Sequence, residues 1–193
     1  LKQNVCNLLA NMCTDKYSIV CNQENFILRA NCFKIKQAMN NNFCFINPAV
    51  KANHDKGRPK NGMFISIPNI LRDVTKDVSP GHWRIQAVQI CLEDKIVLII
   101  NSHFPVDQRT VNLNDNDLLE TLQTVDKVIS DNEFDTLVFC GDINADFIRN
   151  SGHVHETKNF IEERNLTAVW NIHDVDFTHS HESNGITSTS VID

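Results

Sequence analysis

The stretch "KIVLIINSHFP" (Lys95–Pro105) limits what this chain can fold into more than any other. Ile96 to Ile100 are all apolar. A strand with one wet face alternates apolar and polar residues, whereas an unbroken apolar run suits a strand covered on both faces. "FDTLVFCGD" (Phe134–Asp142) reads the same way, as a buried strand that turns at Gly141. Two such strands require layers of structure on either side.

Other segments supply the layers. "GMFISIP" alternates Met63, Ile65 and Ile67 against Phe64 and Ser66. "WRIQAVQICL" sets Trp83, Ile85, Ala87 and Gln89 on one face and Arg84, Gln86, Val88 and Ile90 on the other. "YSIVCNQE" is a short strand ending at Glu24, "FCFINPAV" another, and "ITSTSVID" a last one rich in β-branched residues. Helical spacing marks Val5, Leu8, Leu9 and Met12. It is clearest at Leu118, Leu122, Val125 and Ile129, a stripe widened by Leu119 and Val128. Asp115 and Asp117 sit near the start of that helix, where carboxylates suit its dipole. "TKNFIEERNL" predicts a shorter helix capped by Thr157, and Asn40 to Asn42 reads as a turn. The fold class is α/β (α+β): two packed sheets with helices outside, or a mixed sheet flanked by helices.

At 193 residues, 41% hydrophobic and 22% charged, the chain can bury one core, and residues 1–193 are read as one domain. It has neither a membrane-spanning apolar run nor a signal peptide, so the expected location is intracellular, nucleus or cytoplasm, with no membrane partner. The chain opens at Leu1 and closes at "TSVID" inside a strand-like run, and is therefore read as a fragment. The seven cysteines are scattered without a Cys-x-x-Cys pair, which predicts free thiols and argues against a zinc ribbon or disulfide scaffold. Cys91 and Cys140 read as small core residues. The net charge of -6 argues against a free-standing electrostatic nucleic-acid binder, but not against an enzyme that handles phosphates with a metal ion. Lys51, Lys56, Arg58 and Lys60 in "KANHDKGRPK" form a basic loop, ordinary in itself, that could steer a polyanion.

Polar residues cluster at strand ends: Gln23 and Glu24; Asn101 and His103; Asp142 and Asn144; Ser190 and Asp193. Residues i and i+2 of an extended chain share a side, so Asn101 with His103, and Asp142 with Asn144, can each face one cleft. Singly, each is an ordinary strand exit or turn. Together, an acid for a hard cation, an Asp–Asn pair and a His donor are the inventory of metal-assisted phosphodiester hydrolysis.

The ordered set resembles the endonuclease/exonuclease/phosphatase superfamily, and within it the endonuclease domains of LINE-type retrotransposons. "IVCNQE" is similar to the metal-glutamate strand, "NSHFP" to the Asn-x-Tyr/His-x-Pro strand, "GDIN" to the Gly-Asp-x-Asn turn, and "DFTHSHESNGITSTSVID" to the Thr-then-Ser-x-Ile-Asp segment. "GRPKNGMFISIP" and "SPGHWRIQAVQI" are similar to the Gly-rich strand entry and the Trp-Arg strand of retroelement nucleases. The resemblance implies a deoxyribonuclease I-like four-layer sandwich, two packed mixed sheets flanked by helices, with the first and last strands outside this chain. It implies Mg²⁺ (or Mn²⁺) at Glu24 and Asp142 orienting or activating water. It further implies Asn144, Asn101 and Thr178 at the phosphate, His103 on a phosphate oxygen, and Asp193 paired with a catalytic histidine. That histidine, in a Ser-Asp-His turn, would follow Asp193 and is not in the sequence, so the 193 residues alone are expected to be weak or inactive. His153/His155 and His179/His181 read as solvated loops. The implied partner is DNA, with a reverse transcriptase domain fused in the parent protein. The alternatives are a phosphoinositide or sphingomyelin phosphoesterase of the same superfamily, or a nucleic-acid-binding module without turnover.

Overall fold

The apolar run Ile96–Ile100 becomes an inner strand, but the run ending at Asp142 forms the last strand in the order of the same sheet and is only partly buried, with Val138 exposed, so it is not the buried strand its composition predicts. The computed structural model describes residues 18–39, 42–51, 59–106, 115–147, 151–168, 179–183 and 186–190. The predicted helix at Val5–Met12, together with Lys56, Arg58, Thr178 and Asp193, lies outside the described residues.

The first sheet has the order β1-β3-β2, with β1 Val20–Asn22, β2 Asn42–Asn47 and β3 Met63–Pro68. Both pairings are antiparallel, with Val20 opposite Ser66 and Asn47 opposite Met63. The second has the order β4-β5-β6-β7: Thr75–Asp77, Ile85–Cys91, Ile96–His103 and Thr136–Asp142. β4 and β5, and β5 and β6, are antiparallel, with Ile85 opposite Ser102 and Cys91 opposite Ile96. Asn42 belongs to β2 and not to a turn, because its backbone pairs with Pro68.

The two sheets pack through Ile65 and Ile67 of β3, Val88 and Ile90 of β5, and Ile99 of β6. The other face of the first sheet is covered by helix α1 (Cys32–Ala38), whose Ile35 packs with Val20, Ile27, Met39, Cys44 and Phe64. β3 is therefore buried along its whole length. Phe64 and Ser66 alternate with Met63, Ile65 and Ile67 as predicted, but both sides are covered. Each fully buried large aliphatic residue contributes about 1.5–3 kcal/mol, so a doubly covered strand anchors the whole layer.

Some expectations are corrected. β5 begins at Ile85, so Trp83 and Arg84 precede the strand. Cys91 ends β5 and is exposed, although Cys140 does pack against the core. β4 and the 3-10 turns at Arg29–Asn31 and Asn69–Val74 had no clear apolar period to reveal them.

The chain divides into two compact units. One holds the described residues up to His103 together with Thr124–Gly141; the other holds Phe104–Gln123 and the described residues from Asp142 onward. Helix α2 spans Asp115–Asp131 and buries Leu118, Leu122, Val125 and Val128, while Leu119 is exposed. In the second unit, helix α3 covers Gly152–Glu163. It starts at Ser151, whose hydroxyl accepts from the Val154 N–H at 3.3 Å, so Thr157 is not its cap. Thr157 sits inside the helix and donates to the His153 carbonyl at 2.9 Å. β8 (His179–Ser183) and β9 (Ile186–Ser190) pair antiparallel. His153 and His155 thus lie in a helix, His153 buried and His155 exposed, and His179 and His181 in a strand; neither pair is a solvated loop. No helix among the described residues is long and apolar enough to cross a membrane.

Candidate active site

In the first unit, β1 ends at Asn22 and the chain turns sharply. Glu24 has φ 48° and Phe26 φ 55°, both left-handed. Non-glycine residues enter that region only when their surroundings hold them there. The holding bonds come from "NG" just before β3. Asn25 N–H donates to Gly62 O and Phe26 N–H to Asn61 O, each at 3.0 Å. Asn61 (φ 65°) and Gly62 (φ 96°) are left-handed too, and a Cβ at Gly62 would run into the Asn25 side chain. Glu24 therefore stands just past its strand, as a carboxylate whose side chain is 51% exposed.

β6 approaches the same turn. Asn101 is fully buried. Its Nδ2 donates to Asn22 O at 3.2 Å and Phe64 O at 3.3 Å, and its Oδ1 accepts from Gln23 Nε2. Two residues on, His103 Nε2 lies 3.9 Å from Glu24 Oε1. The His103 backbone is fixed by Arg84: His103 N–H donates to Arg84 O at 2.9 Å, and Arg84 Nη1 donates to His103 O at 3.1 Å. The Arg84 guanidinium lies 3.8 Å over the Trp83 ring. A carboxylate and an imidazole are thus brought together from segments about 80 residues apart in the chain.

The Asp142 end is built differently. Gly141 lies in β7 and is not a turn: at φ 138°, a Cβ there would collide with the Ser102 backbone. Only glycine permits that approach. In the second unit, Phe104 N–H donates to Asp142 O at 2.8 Å. The strand geometry then lapses. Asn144 has φ 50°, so the i, i+2 rule no longer applies at this pair. Asn144 N–H donates to Asp142 Oδ1 at 3.1 Å, a two-residue Asx turn, and Asn144 Nδ2 donates to Phe104 O at 2.9 Å. Buried Ile143 and Ala145 anchor the turn on either side of Asn144.

Asn22 and Phe104 are not marked out by the sequence, because they act through backbone groups, which no short motif displays; Arg84 belongs to the Trp-Arg segment, but its guanidinium bond to the His103 carbonyl is not legible there. Cys21 and Cys140, three and two residues before Glu24 and Asp142, both pack on the inter-sheet core. A hydrogen bond to Cys140, with burial, pushes the Cys21 thiol far above the ordinary thiol range.

Among the described residues, no group of three or more His, Cys, Asp or Glu is placed to cage a metal ion. A structural zinc site needs such a cage; Mg²⁺ binds through one or two carboxylates and completes its shell with water and phosphate oxygens. The exposed hard-oxygen donor Glu24 fits the second kind of site.

No protein-family model matches the sequence, and no curated protein matches it. Solved structures do match. The endonuclease domain of TRAS1, a telomere-specific non-LTR retrotransposon, aligns over 99% of this chain and 78% of its own, at 15% identity and TM-score 0.63. AP endonuclease LMAP from Leishmania major aligns over 96% and 69%, at 12% identity and TM-score 0.67. The 3' phosphatase NExo from Neisseria, bound to a product DNA hairpin, aligns over 84% and 66%, at 13% identity and TM-score 0.61. At these identities the likeness is one of fold.

Proposed function

We propose that this chain, which has the deoxyribonuclease I-like fold of the endonuclease/exonuclease/phosphatase superfamily, is the core of a Mg²⁺-dependent phosphodiesterase acting on DNA. One observation carries the reading: Glu24 and His103, remote in sequence, stand 3.9 Å apart on a fold whose solved relatives include an AP endonuclease and a retrotransposon endonuclease domain.

The roles are those the family resemblance implies. Glu24 holds the divalent cation, Mg²⁺ or Mn²⁺, which when bound neutralises charge on the phosphate and leaving oxygen. Asp142 orients or activates the attacking water, its carboxylate positioned by the Asn144 N–H. His103 donates to a phosphate oxygen and Asn144 bonds the phosphate. Thr178 at the phosphate and Asp193 paired with a histidine complete the proposal. A fused reverse transcriptase would use the nicked end as a primer.

Supercoiled plasmid with Mg²⁺ tests the reading, using this chain and a longer form that continues past Asp193. The longer form should nick the plasmid, and Glu24→Ala and Asp142→Ala should each lower the rate at least about 100-fold. Unaltered rates in both variants would sink the assignment. A parallel panel of phosphoinositide, sphingomyelin and nucleotide esters separates DNA from lipid substrates. DNA binding in EDTA without turnover in either form would mark a binding module instead.

A further inference from the structure

The Asn101 side chain offers two N–H donors and one carbonyl oxygen. Both donors are spent on main-chain carbonyls, Asn22 O and Phe64 O, and the oxygen takes Gln23 Nε2. The residue is fully buried. A phosphate oxygen needs a donor, and Asn101 has none left to give. Its partners lie on β3 and on the two residues immediately before Glu24.

We infer that Asn101 and Gln23 form a positioning clasp for Glu24, and that Asn101 acts through this clasp without touching substrate. The inference rests on the phosphodiesterase reading and replaces the phosphate contact that the family resemblance implies for Asn101.

Glu24 is held in its left-handed conformation from both sides. On the outgoing side, Asn25 and Phe26 donate to Gly62 and Asn61. On the incoming side, Asn101 fixes the Asn22 carbonyl and the Gln23 amide. Without the clasp the turn has one fixed end, and the carboxylate samples orientations in which it no longer meets a bound cation or His103. Partners that orient a metal ligand typically change metal affinity by 10–100-fold.

Gln23→Met keeps the length and shape of the side chain and removes the donor; Asn101→Ala removes the clasp outright. Two readouts apply to the protein without substrate. Amide hydrogen exchange at Asn25 and Phe26 reads the turn, and should accelerate about tenfold in Gln23→Met while the β3 amides keep their protection. Mn²⁺ affinity, followed by water proton relaxation, reads the carboxylate, and should weaken about tenfold with Glu24→Ala as the zero-binding reference. Oligonucleotide affinity in EDTA should stay at the wild-type value. Unchanged exchange at Asn25 and Phe26 would overturn the clasp, whatever the protein catalyses. Unchanged Mn²⁺ affinity with weakened oligonucleotide binding in EDTA would also overturn it and restore the phosphate contact. Accelerated exchange in a protein whose wild type binds Mn²⁺ no better than Glu24→Ala supports the clasp and removes the metal-site reading beneath it.

Discussion

The Glu24 turn and the Asp142 turn present similar chemistry, a carboxylate just at or past a strand end, yet they are held by opposite means. The Glu24 turn depends on a buried amide 77 residues away, donating to the backbone beside it, and on the "NG" pair before β3. The Asp142 turn closes on itself through Asn144 N–H, with two added bonds to the Phe104 backbone. A locally closed turn needs only its own residues. A turn held at long range exists only once both sheets have formed. Damage to the Glu24 turn should spread, and damage to the Asp142 turn should stay local.

That contrast can be broken by substitution, and the largest effect belongs to Gly141. A methyl group there meets the Ser102 backbone, so Gly141→Ala must separate β6 from β7. The expected loss exceeds about 4 kcal/mol, read by urea unfolding or as a failure to obtain folded protein. Asn101→Ala comes next. It strands two buried carbonyls and the Gln23 amide, and should cost about 3 kcal/mol by the same measurement. Asn144→Ala should cost only about 1 kcal/mol, from one lost side-chain hydrogen bond and a left-handed backbone. Asn144→Gly should recover part of that loss, since glycine adopts the conformation freely. If Asn144→Ala proves as costly as Asn101→Ala, the local-versus-remote distinction fails. The smallest effect concerns reactivity. Iodoacetamide at pH 8, followed by peptide mapping, should label exposed Cys91 well before Cys21. Cys21 keeps its proton because the hydrogen bond to Cys140, with burial, pushes its thiol upward. Equal labelling rates would mean that the inter-sheet core is open to reagent.

How far each region could be read in advance follows the same division. "GDIN" is visible because Gly, Asp and Asn are turn residues and stand together in the chain at the end of an apolar run. The meaning of its glycine was not visible. Gly141 looked like a turn former, whereas its actual constraint comes from Ser102, on another strand. The segment "TKNFIEERNL" points to a start at Thr157, whereas the side chain that closes the first turn of α3 is Ser151, six residues earlier. Cys91 looked like core from its neighbours, yet exposure at a strand end depends on what covers that end. Asn101 was noticed for its type and place. Its commitment to Asn22, Phe64 and Gln23 was beyond reach, because no sequence pattern shows which carbonyls a buried amide will find.

By itself, then, the sequence determined most of the strands, the α2 stripe and the residue types at each strand end. These follow from periodicity and local turn chemistry, which act over a few residues. Tertiary structure alone decided that β3 is covered on both faces, that Gly141 must lack a side chain, and that Glu24 is held in a left-handed turn 3.9 Å from His103. Each of those depends on atoms from strands far apart in the chain, and only packing brings such atoms within reach.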